Sequence, residues 1–82
     1  MGYAKTASWA ALRSRTRLEQ AMRERDVNGN ELAKLAGLSP QVVSNVRRGK
    51  YSLMREETAQ ALERALRRER GDLFDYDRTI RQ

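Results

Sequence analysis

The sequence predicts an all-α fold: a compact domain of four to five helices, two of them short and joined by a tight central turn, with a possible short C-terminal strand or arm. Three observations carry this expectation. The chain holds 1 Pro in 82 residues, and Ala, Leu, Arg and Glu, which lose little side-chain freedom in a helix, dominate it. Helix-start signals recur at Ser8, Thr16, Asn28 and Ser39, each a side-chain oxygen able to accept from an exposed first-turn amide. Gly stands at positions 37, 49 and 71, where periodic segments stop, and Gly accepts the left-handed conformation that closes a helix. This length fits one domain, divided into an N-terminal extension or short helix over 1–15, a core over 16–71 and a tail over 72–82.

In chain order, residues 1–7 read as a disordered start. Ser8 caps a short helix from Trp9 to about Ser14. Thr16-Arg17-Leu18-Glu19 reads as a capping box opening a helix to about Arg25, with Leu18, Ala21 and Met22 on one face. Asn28 and Glu31 form a second box. The helix behind them turns Leu32, Ala33 and Ala36 inward and stops at Gly37. Ser39-Pro40 opens a third helix, because Pro at the first position lacks an N–H that would be unpaired there anyway. That helix runs to about Arg48 and ends at Gly49. Tyr51–Met54 is a connector, with a helix start expected near Ser52 or Met54. Glu56 and Glu57 in its first turn, and Arg64, Arg67, Arg68 and Arg70 in its later turns, complement the helix dipole. Ala59, Leu62 and Leu66 form its buried stripe, and Gly71 closes it. Phe74, Tyr76 and Ile80 in the tail are evenly spaced, which suits a strand or an arm lying on a partner. With little core left to join, these three are the candidate dimerisation residues.

The chain has no Cys and no His. Disulfides, thiolate metal sites, Cys nucleophiles and imidazole bases are thereby excluded. Asp and Glu are interleaved with Arg as on a solvated face, so no catalytic residue, metal or cofactor is expected. The 17 Lys and Arg outweigh 11 Asp and Glu, for a net charge of +6. A compact basic domain attracts polyanions, nucleic acid first and a membrane surface second. Trp9-Ala10-Ala11-Leu12 is too short for a membrane span or a signal-peptide core. A cytoplasmic protein without a membrane partner is expected.

The informative stretch is NELAKLAGLSPQVVSNVRRGK, residues 30–50. Two short helices joined by Gly37-Leu38-Ser39 have the spacing of a helix-turn-helix, whose second helix enters the DNA major groove. With Leu32-Ala33, Gly37, Leu38-Ser39, Val43, Val46 and Gly49-Lys50 at characteristic positions, residues 17–66, extended through Leu73-Phe74, resemble the Cro and repressor family of phage and bacterial regulators. This XRE-like resemblance implies a repressor-like domain that regulates transcription by binding operator half-sites on double-stranded DNA as a homodimer. Because phage repressors of this kind often carry a further C-terminal domain, a Cro-like or lysogeny-control protein is expected. The alternative is the antitoxin of a toxin–antitoxin pair with an autoregulatory helix-turn-helix.

Residue chemistry and resemblance agree on the third helix. Val43 and Val46 face the core, which points Pro40, Gln41, Ser44 and Asn45 outward. By the family's docking mode these face base edges; Gln and Asn can each make a bidentate contact to adenine. Val42 either meets a thymine methyl or packs on a neighbour. Arg47, Arg48 and Lys50 suit phosphates, which fix register without reading sequence. Asn28, Gly29 and Asn30 are the phosphate candidates at the start of the second helix. Three positions depart from the family pattern: Gly29 where Gln is common, Arg47 where Glu often pairs with a basic residue on the first helix, and Leu35 where a charge is common. Arg47 is expected to bind phosphate or a local carboxylate, and Leu35 to pack near Trp9 and Leu12. Lys5, Arg13, Arg15 and Arg17 form either a DNA-contacting arm or a solvated face.

Overall fold

The computed structural model describes residues 6–51 and 53–81, with the side chains of 6–8 and 77–81 outside the description. The expectations for residues 1–5, Lys5 among them, and for Ser52 lie outside the described residues. The elements are β1 (Thr6–Leu12), α1 (Arg15–Arg25), α2 (Gly29–Ala36), α3 (Pro40–Arg47), β2 (Leu53–Arg55), α4 (Glu56–Ala65) and β3 (Phe74–Arg81). Four helices therefore pack with a small sheet, and the all-α expectation is corrected. The sheet is antiparallel with order β2-β1-β3, so the first strand is the central one.

The segment expected as a helix from Trp9 is β1. Ala10 pairs with Met54 in β2, and Leu12 pairs with Phe74 in β3. Two neighbouring strands satisfy the backbone on both sides, and that tertiary context overrides the local helix preference of Ala. Ala10, Met54 and Phe74 are buried together on the sheet's inner face. Trp9 is half-buried, Leu53 and Arg55 are exposed, and the Arg55 guanidinium lies 5.9 Å from the Trp9 ring centroid. Trp9 thus lies beside a cation. Leu35, expected to pack near it, is 52% exposed instead.

Helix α1 is capped by Ser14, whose hydroxyl accepts from the Arg17 amide at 3.3 Å, so the start lies two positions before Thr16. Its buried residues are Leu18, Ala21 and Met22, as the spacing predicts. The second start follows the sequence closely. The Asn28 side chain accepts from the Glu31 amide at 2.8 Å, and the Glu31 carboxylate accepts from the Asn28 amide at 2.9 Å. Gly37 closes α2 at φ 71°, in the left-handed region that favours Gly. Ser39 caps α3 through the Val42 amide at 3.2 Å, with Pro40 in the first position. Helix α4 is shorter than expected. Leu53–Arg55 is drawn into the sheet, and the chain leaves the helix at Leu66 with Arg67 at φ 58°, so Arg67, Arg68 and Arg70 lie beyond α4. Ala59, Leu62 and Leu66 are buried as expected.

The tail is a strand, but its partner is β1 of its own chain. The pairing runs from Leu12 opposite Phe74 to Thr6 opposite Arg81. Phe74 is 0% exposed and sits in the chain's own core with Leu18, Leu32, Val43, Val46 and Leu62. The expectation that Phe74 has little core left to join is corrected: the side chain is consumed by intramolecular packing. Tyr76 is likewise engaged, donating its hydroxyl to Glu63 at 2.5 Å beneath the Arg70 guanidinium. Burial and then the bond to Glu63 push the Tyr76 phenol above its usual range. Ile80 pairs through its backbone with Ala7; its side chain lies outside the description. Arg13 donates to the Gly71 carbonyl at 2.8 Å and Arg17 to that of Asp72 at 3.2 Å. These two arginines tie the start of the chain to its tail and do not form a free arm.

Candidate nucleic-acid interface

Helices α2 and α3 are joined through Gly37, Leu38 and Ser39 and pack against each other, with Leu32, Ala33, Val43 and Val46 buried in the core. That burial fixes which side of α3 faces out. Pro40 and Gln41 are exposed, Ser44 is half-buried, and Arg48 and Lys50 are exposed just beyond the helix. Val42 is partly buried and packed against the core cluster, which favours the packing role over a free methyl contact.

Asn45 differs from its expected orientation. It is 8% exposed, and its Oδ1 accepts from Nε2 of Gln41 at 3.2 Å. Asn45 neighbours Val46 at the edge of the buried stripe, and the following loop folds back so that the Lys50 amide bonds the Asn45 carbonyl at 2.9 Å. The outward-pointing expectation is corrected for this residue: in the free chain Asn45 lies beneath the surface and orients the Gln41 amide.

Beside the exposed turn of α3 lies an open cleft of about 670 Å³ lined by Arg15, Glu19, Asn28, Gly29, Asn30, Pro40, Ser44, Arg47 and Arg48. It brings together both ends of the sequence-stated phosphate set, the start of α2 and the end of α3; Lys50 lies outside its lining. Arg15 donates through Nε to the Arg47 carbonyl at 2.9 Å and packs over Gly49. Its place in the cleft was not separable from its neighbours in sequence, where Arg13, Arg15 and Arg17 look alike.

Arg47 grips Glu19 in a two-pronged pair, Nε to Oε2 at 2.9 Å and Nη2 to Oε1 at 3.1 Å. Glu19, read from sequence as a capping residue, is instead this partner. The pair ties α1 to α3, with the acid on α1 and the base on α3. The hydrogen bond from Arg47 holds the Glu19 carboxyl below its ordinary range, and the same bond raises the Arg47 guanidinium.

Residues 17–78 match the family model of the Cro/C1-type HTH DNA-binding domain. The chain belongs to that family. No curated protein and no solved structure gives a significant match. The Cro/C1-type match spans the helix-turn-helix, the cleft lining apart from Arg15, and most of β3, and makes the chain a DNA-binding regulator. No helix among the described residues is long and apolar enough to cross a membrane.

The Glu19–Arg47 pair of this Cro/C1-type domain has a pH signature. A carboxyl held below its unfolded value stabilises the fold above that value, and the contribution disappears as pH falls through the lowered one. The melting temperature of the native chain should therefore exceed that of Glu19→Gln near neutral pH, with the gap closing as the solution is taken below the ordinary Glu range. Parallel melting curves at all pH values would show that the pair contributes nothing through its charge.

Proposed function

We propose that this Cro/C1-type protein is an operator-binding repressor of the Cro-like or lysogeny-control kind, reading base edges with the outer face of α3. The supporting observation is the juxtaposition of an exposed, oriented Gln41 with a cationic cleft. Gln41 is positioned to reach a base edge from the first turn of α3, its amide held by Asn45. Pro40, Val42 and Ser44 flank it and shape the fit, and Asn45 is the second candidate reader once Gln41 turns toward DNA. Arg47, Arg48 and Lys50 on one side, with Asn28, Gly29 and Asn30 on the other, take adjacent phosphates and set the angle of α3 in the groove.

Homodimeric binding is part of the proposal. A single module reads few base pairs, and affinity against genomic competition usually requires two half-sites. Two-fold dimers separate their reading helices by about 34 Å. With Phe74 buried and Tyr76 engaged, the tail's contribution is assigned to Ile80 and to the outer side of β3, an edge strand, since sheet edges are templates for pairing with another chain.

Selection of bound sites from a random duplex pool tests both parts. The expected product is an inverted repeat whose half-site centres lie about one helical turn apart. Gln41→Ala is expected to weaken binding by about 1–3 kcal/mol and to relax preference at one position in each half-site. A selected site without a repeat would count against the dimer. An unchanged preference in Gln41→Ala would remove Gln41 as a reader.

A further inference from the structure

Two departures from the family pattern, Gly29 and Arg47, meet in space. A Cβ built on Gly29 would lie 2.9 Å from Nη1 of Arg47, closer than a Cβ carbon approaches another heavy atom. The guanidinium thus occupies the room that a side chain at the first position of α2 would need. Its Nε and Nη2 are committed to Glu19. Nη1 has no protein acceptor among the described residues, and the cleft beside it is lined by Arg15 and Arg48.

We infer that Arg47 meets its DNA phosphate through Nη1, and that Glu19 and Gly29 are its positioning residues. The inference rests on the interface proposed above. An Arg has five N–H donors in a fixed fork, so one edge can be anchored on a carboxylate while the rest faces a second anion. Anchoring removes the freedom a long side chain would otherwise lose on meeting DNA. Ion pairing alone does not account for Gly29: a pair about one-third exposed on each partner contributes little to stability, whereas Gly is a poor helix former. Its lack of a side chain is what gives the guanidinium access to the cleft.

The test measures affinity of the full chain for a mixed-sequence DNA duplex by fluorescence anisotropy at low salt, alongside thermal melting. Gly29→Ala leaves net charge unchanged, and the new methyl meets only the far end of a flexible side chain, so the melting temperature should hold. Its affinity is expected to fall about threefold to tenfold, and the salt dependence to become shallower, by up to about 0.9 in the log–log slope for one lost phosphate contact. The Glu19→Met, Arg47→Met double variant also keeps net charge and should lose a similar factor, with Gly29→Ala adding nothing further on that background. Gly29→Ala binding within twofold of the native chain would overturn the inference. So would an equal loss from Gly29→Ala with and without Arg47, which would mean that the methyl obstructs DNA directly. If Gly29→Ala melts early, the double variant decides alone, and binding within twofold overturns the inference. A native chain that fails to bind duplex at all would instead bring down the underlying interface.

Discussion

Glu63→Ala is expected to destabilise the chain by about 3–5 kcal/mol, a large share of the roughly 4–12 kcal/mol that a domain of 82 residues holds in total. Glu63 is 1% exposed on α4. Its carboxylate accepts from the Gly71 amide at 3.1 Å, the Leu73 amide at 2.9 Å and the Phe74 amide at 3.2 Å, and from the Tyr76 hydroxyl. These bonds hold the chain where it leaves the helical part and enters β3. With Ala in place of Glu63, three amide donors lose their acceptor at once, each at about 1–3 kcal/mol if left dry; water entering the space recovers part of this. Tyr76→Phe removes one donor and leaves the amides in place, so about 1 kcal/mol is expected. Urea unfolding of both variants checks the contrast. A loss below about 1 kcal/mol for Glu63→Ala would mean that the bend before β3 does not depend on the carboxylate.

Phe74→Ala is expected to cost about 3–5 kcal/mol, the range for truncating a large buried aromatic. The residue is 0% exposed and touches a core built from α1, α2, α3 and α4. The loss should be independent of protein concentration, because it arises within one chain. A contact with a second copy would instead give a melting temperature that rises with concentration in the native chain and less so in the variant. Melting curves across a wide concentration range separate the two cases, and a loss confined to high concentration would return Phe74 to a dimer interface.

The parts of the fold legible in sequence are those decided within a few residues. Asn28 with Glu31, Gly37, and Ser39 with Pro40 each form a cap whose partners are three or four positions apart, and each cap stands where the sequence places it. The sheet was not legible because its strands come from residues 6–12, 53–55 and 74–81, and β1 taken alone has an Ala-rich helical composition. Its conformation is decided by partners more than forty positions away. The same division holds at the candidate site. Exposure of Gln41 and the partial exposure of Ser44 follow from the 3.6-residue period set by Val43 and Val46. The burial of Asn45 depends on how the next loop returns, and the Glu19–Arg47 pair spans 28 positions. Position 47 did carry a trace: an Arg in a place associated with an acid implies a counter-charge on the facing helix, and Glu19 provides it.

The order of the strands constrains when the sheet can exist. On the ribosome β1 emerges first, yet it is the middle strand, and both of its neighbours are encoded downstream. The turn between α2 and α3 and its caps involve only nearby residues and can form during synthesis. The ladder on one side of β1 must wait for Leu53–Arg55, and the ladder on the other for Phe74–Arg81. The recognition motif is therefore available to nucleate structure before the sheet is complete, and β1 is among the last elements to be enclosed.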